Sequence, residues 1–76
     1  MATTSITATA DWQQITDGTM DKVIQSIGGE IRLCDSPTKP DGKMASHRVN
    51  GWATISAPTV AWIRAAHSAP VMVIIS

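Results

Sequence analysis

Apolar and polar residues alternate with a period of two along much of this chain, and the main departure from that period is its last apolar run. Glu30-Ile31-Arg32-Leu33-Cys34 is the cleanest alternation, placing Ile31 and Leu33 on one face of a strand and Glu30, Arg32 and Cys34 on the other. Thr59 to Ala65 repeats it, with Val60, Trp62 and Arg64 on one face and Ala61, Ile63 and Ala65 on the other. Val71-Met72-Val73-Ile74-Ile75 is instead continuously apolar, which predicts a strand buried on both faces. In a chain of 76 residues, part of that cover is expected from a partner.

The remaining pattern is punctuated by Gly, Pro, Asn or Asp every eight to twelve residues or so, the spacing of an all-β domain. Ile6 to Thr9 reads as a short first strand, with residues 1–10 as an extended N-terminal arm the alternative. Trp12 to Thr16 reads as a strand closed by Asp17-Gly18. Between Met20 and Ile27 two periods compete. Met20, Val23, Ile24 and Ile27 have helical spacing, with Asp17 as a cap and Gly28-Gly29 as a stop. Asp21, Val23, Gln25 and Ile27 alternate as in a strand; a helix of about eight residues is marginal alone, and the all-β surroundings favour the strand.

Asp35 to Lys43 contains two prolines and a Pro-Asp-Gly turn, which makes a solvated connection, with a binding loop as the alternative. Asn50-Gly51 predicts a type I′ hairpin turn that pairs Val49 with Trp52. The expectation is a single domain over residues 1–76: a small antiparallel β-sandwich or barrel of about seven or eight short strands, built from hairpins.

A domain of this size buries only about 60% of the surface its unfolded chain exposes, so extra stabilisation is expected. Cys34 is the only cysteine, which rules out an intramolecular disulfide, and Cys34, His47 and His67 make a poor zinc set; no metal or cofactor is expected. Oligomerisation is left. Six basic residues balance six acidic ones and charged residues make up 16% of the chain, which argues against electrostatic binding of nucleic acid. The Thr/Ser-rich start lacks the basic and apolar blocks of a secretory signal. The closing run falls short of the ~20 residues a membrane helix needs. A soluble protein with no membrane partner is expected.

Chemistry-bearing residues are sparse. Cys34 with His47 or His67 and Asp35 is the one imaginable nucleophile set, and nothing in the spacing recommends it. Asp17, Asp35 and Asp41 accompany turn residues, where carboxylates bond nearby backbone amides. Gly28-Gly29 lacks the surroundings of a phosphate-binding loop. No catalytic residue is assigned. Trp12, Trp52 and Trp62 are the only aromatics; they read as core packing or, more sharply, as interface anchors. Trp62 with Val71, Met72, Val73, Ile74 and Ile75 is the expected protein interface.

The order of these features resembles that of small virion proteins of tailed bacteriophages. The resemblance rests on the Thr/Ser-rich start, Ala-Asp-Trp-Gln-Gln-Ile-Thr-Asp-Gly, the strand with Ile31 and Leu33, the Pro-containing loop, and Ala-Pro-Thr-Val-Ala-Trp-Ile-Arg-Ala before a Val-rich strand. It implies a β-sandwich-like capsid decoration, cement or head-tail accessory protein, non-enzymatic, assembled in the host cytoplasm into the virion. Its partners would be copies of itself and the major capsid or other virion proteins. The alternative it leaves is a tail-associated module that binds carbohydrate or a receptor.

Overall fold

The computed structural model describes residues 3–76, and it is all-β. Eight strands follow in order: β1 (Thr4–Ala8), β2 (Gln13–Gln14), β3 (Lys22–Ile27), β4 (Ile31–Asp35), β5 (His47–Val49), β6 (Trp52–Ile55), β7 (Ala61–Ala65) and β8 (Val71–Ile75). They form two antiparallel four-stranded sheets, ordered β1-β8-β3-β6 and β2-β7-β4-β5. The small antiparallel sandwich expected from the alternation is present.

The order has a simple origin. Strands β4 and β5, β3 and β6, β2 and β7, and β1 and β8 pair as the rungs of one long folded ribbon. Rolling that ribbon brings β8 beside β3 and β7 beside β4, which closes each sheet. This is the strand order of a jelly roll.

The core lies between the sheets. Ile24, Val73, Ile63 and Ile31 are its largest fully enclosed side chains, and Ala8, Ala61 and Ala65 let the two layers approach. Each strand sends alternate residues inward, as the period of two requires: β7 buries Ala61, Ile63 and Ala65. Where the β2–β3 connection leaves its sheet and the β6–β7 connection enters it, Thr16 ties the two together, its hydroxyl donating to the Thr59 carbonyl and accepting from the Ala61 amide, both at 2.9 Å.

Three local expectations are changed or resolved by this architecture. First, only β4 and β5 are consecutive strands that pair; every other connection crosses from one sheet to the other, so the domain is not a chain of hairpins. Second, Asn50-Gly51 is therefore a corner and not a hairpin turn, and Val49 and Trp52 belong to different sheets. Asn50 keeps a negative φ while Gly51 alone takes φ 117°, so a type I′ turn, which needs positive φ at both centres, does not form. Gly51 is tied instead to β3, its amide donating to Ser26 Oγ at 2.8 Å and its carbonyl accepting from the Ser26 amide at 2.9 Å. Val49 goes into the core and Trp52 outward, and the chain must change layer between them.

Third, Lys22–Ile27 is a strand. Its helical spacing is a by-product of placing Ile24 inside while Val23 and Ile27 face out. Gly28-Gly29 then carries the chain to the other sheet, and a Cβ on Gly29 would sit 2.8 Å from Val71 Cγ2, too close for any side chain there without a shift in β8. Of the opening segment, Thr4–Ala8 is the edge strand β1, paired with β8 from Thr4↔Ile75 to Ala8↔Val71; residues 1 and 2 lie outside the described residues.

Candidate functional site

The two outer faces of the sandwich are chemically different, and each gathers residues that are far apart in the sequence. On the β1-β8-β3-β6 sheet the inward positions are fixed by the buried partners Ala8↔Val71, Ser26↔Val73 and Ile24↔Ile75, so the alternate residues face out. One outward row runs Ser5, Ile74, Gln25, Trp52 across all four strands. A second runs Thr7, Met72, Ile27, and a third pairs Val23 with Thr54. None of these positions carries a charge. Trp52 is 71% exposed, Met72 50%, Ile27 43% and Val23 37%, which makes a broad uncharged face with an aromatic at one edge.

The expected interface run thus divides. Val71, Val73 and Ile75 are enclosed by the protein's own core, while Met72 and Ile74 point away from it. Continuous apolarity in β8 reflects a strand placed centrally in its sheet, with the second sheet over one side and the uncharged face on the other. Trp62 is not near this surface. It lies on the outer side of the other sheet, opposite Cys34 and Gln14, half-buried, with its indole N–H donating to the Ser36 carbonyl at 2.8 Å.

That second outer face, on β2-β7-β4-β5, holds every arginine of the chain. Arg32 on β4 pairs with Arg48 on β5 and with Arg64 on β7, so the three stand side by side across neighbouring strands. Arg48 is engaged by Glu30: Nε donates to Oε1 at 2.9 Å and Nη2 to Oε2 at 3.2 Å. That paired hydrogen bond holds the Glu30 carboxyl below its usual range, with the charges of Arg48, His67 and Arg32 acting in the same direction against partial desolvation. Arg64 stacks over Trp12, its guanidinium carbon 5.3 Å from the ring centroid, and donates to the Ala65 carbonyl at 3.1 Å. Arg32 has a buried Nε with no hydrogen-bond partner.

The residues weighed for catalysis and metal binding fall elsewhere. Cys34 is enclosed, and burial, followed by the charge of Asp35, pushes its thiol above the usual range, which keeps it protonated at neutral pH. His47 is the β5 partner of Leu33 and His67 sits in the β7–β8 connection; no hydrogen bond joins either to Cys34 among the described residues. Nor do the described residues hold any group of three or more His, Cys, Asp or Glu placed to share a metal ion.

Asp11 pairs with Lys39, Nζ to Oδ1 at 3.0 Å, and the other four aspartates act on backbone. Asp17 and Asp41 accept from the amides of Thr19 at 3.0 Å and Lys43 at 2.8 Å, as their turns predict. Asp35 and Asp21 reach further, to the amides of Val60 at 2.9 Å and Ala57 at 2.8 Å. An open depression of about 270 Å³ lies beside Gln14, Ile15, Thr16, Asp17 and Met20. The one carboxylate in it, Asp17, is already occupied by Thr19, whose bonds lower its proton affinity.

Two features escaped sequence reasoning. The exposed Trp52 was legible only as one of three tryptophans, although the alternation of Val23, Gln25 and Ile27 did mark the neighbouring outward stripe. The arginine row had no sequence signal, because it depends on which strands become neighbours. No family model matches the chain, and neither a curated protein nor a solved structure does.

Proposed function

We propose that this chain is a non-enzymatic structural protein that assembles through the outer face of the β1-β8-β3-β6 sheet, as a decoration or reinforcing component of a phage particle. The observation that carries the proposal is the uncharged face around Met72, Ile74, Ile27 and Val23. Such a surface can be covered by a second copy without stranding any charge, and burying it contributes roughly 25 cal/mol per Å² before ordering costs. Two copies meeting face to face would stack four-stranded sheets about 10 Å apart, as the sheets within one copy already stack. Jelly-roll strand order recurs in viral capsid domains, and this supports the particle setting by analogy of fold. The sequence resemblance points the same way.

Native mass measurement over a range of concentrations tests the reading: a symmetric oligomer, dispersed by Met72→Lys with the fold intact, is the expected result. A wild-type chain that stays monomeric throughout and has no affinity for a protein shell overturns it.

A second reading is favoured by one observation of its own. Trp52 is largely exposed beside Gln25 and Thr54, an aromatic plate flanked by amide and hydroxyl groups, which is the equipment for stacking on a sugar ring and bonding its hydroxyls. In this reading the chain is a carbohydrate- or receptor-recognising module of a phage tail. Tryptophan fluorescence during a glycan titration, lost in Trp52→Ala, is its test; an unchanged spectrum removes it.

A further inference from the structure

All three arginines of the chain occupy one row on the opposite face from the proposed assembly surface, while the three lysines, Lys22, Lys39 and Lys43, lie elsewhere. Directly opposed like charges on neighbouring strands destabilise a sheet. Six basic residues were available for dispersal, and the lateral spacing of about 4.8 Å between strands brings three of them within roughly 10 Å.

Protein groups offset only part of this charge. Glu30 engages Arg48 through both carboxylate oxygens. Arg64 is oriented by the Trp12 ring and the Ala65 carbonyl, neither of which carries a formal charge. Arg32, in the middle, makes no side-chain hydrogen bond or ion pair among the described residues, and its Nε is buried without a partner. The cross-strand partners Arg32 and Arg64 bring two guanidinium groups to one face, with more N–H donors between them than one carboxylate can accept. A tetrahedral anion with up to two charges and four oxygens matches them better, and planar guanidinium forks bind such groups in the paired geometry that ammonium cannot reproduce.

We propose that Arg32 and Arg64 form a binding site for a tetrahedral oxyanion, a phosphate or sulfate group, on the outer face of the β2-β7-β4-β5 sheet. Arg48, held by Glu30, closes one side of the row, and Trp12 backs Arg64 on the other. The site is independent of the uncharged face, so either can fail alone. It also qualifies what the low overall charge suggests: net neutrality does not prevent a local cationic site when every arginine is collected on one face.

The test is a titration of the nitrogen-15-labelled full chain at constant ionic strength, following the arginine Nε–Hε resonances. The probes are inorganic phosphate, an O-sulfated disaccharide and a short single-stranded oligonucleotide. The expected result is saturable movement of the Arg32 and Arg64 signals. Arg32→Gln should weaken the response about ten-fold or more, as loss of a charge-assisted hydrogen bond implies. Arg32→Lys keeps the charge and removes the fork, so it should also weaken binding, whereas simple screening would leave it unchanged. Arg64→Gln supplies a second variant if Arg32→Gln does not fold. Saturation by phosphate alone assigns a free ion, and tighter saturation by one of the larger probes assigns the oxyanion to that molecule. Non-saturating responses to all three probes that are the same in the wild type and Arg32→Lys overturn the proposal.

Discussion

The two outer faces of this sandwich share one core and the same strand geometry, yet one has been cleared of charge and the other holds all the arginines. On the first, outward positions of β8 and β3 are Met72, Ile74, Val23, Gln25 and Ile27. On the second, the equivalent positions of β7 and β4 are Trp62, Arg64, Arg32 and Cys34. Fold alone dictates neither set, since an outward position in a strand can take nearly any residue. On the proposals above, the difference reflects what each face meets, protein cover on the first and an anion on the second.

The comparison can be broken at its common support. Ile24→Ala removes one of the largest enclosed side chains and should cost about 2–5 kcal/mol, lowering the melting temperature enough to compromise both faces together. If instead only one face lost its property, the two would not be resting on one core. Next in size is Met72→Lys. Met72 is half exposed, so the isolated fold should keep its stability within about 0.5 kcal/mol in chemical denaturation. Self-association should weaken by about two orders of magnitude in sedimentation measurements, because the new charge would be buried without a partner. The phosphate response of the arginine face should not change.

Trp52→Ala is expected to act more narrowly, changing stability by less than about 1 kcal/mol because so little of the ring is enclosed. It separates the two readings of the first face: loss of a glycan response with association unchanged favours recognition, and the reverse favours assembly. The smallest effect belongs to Glu30→Gln. The Glu30 carboxyl titrates below its ordinary range in the folded chain because Arg48 bonds it. Its contribution is therefore present above the unfolded value of about 4.3 and is lost as the pH falls through the lower folded value. Stability curves of wild type and Glu30→Gln should converge on the acid side and separate towards neutrality. The substitution also frees Arg48, so phosphate affinity should rise slightly.

How much of this was readable beforehand follows from what a period of two contains. Alternation tells which residues share a face, so the common face of Ala61, Ile63 and Ala65 and the strand at residues 30–34, which the fold places at Ile31–Asp35, were legible. It says nothing about which strand lies beside which. Val49-Asn50-Gly51-Trp52 looked like a hairpin because the local turn chemistry was right, and it became a corner because Val49 is needed between the sheets and β6 is needed beside β3. The arginine row was hidden for the same reason: Arg32, Arg48 and Arg64 meet only through long-range pairing. Within β8, the pattern predicted burial on both faces, but only Val71, Val73 and Ile75 are enclosed while Met72 is half exposed, a split that follows from strand placement.

The central position of β8 also bears on how the molecule is made. It is flanked by β1 on one side and β3 on the other; β3 can pair with β6 earlier, but the edge strand β1 takes its place in the sheet only once residues 71–75 have been made. Until then Ile6 lacks its register partner Val73. Pairings this remote in sequence also slow the search for the native arrangement.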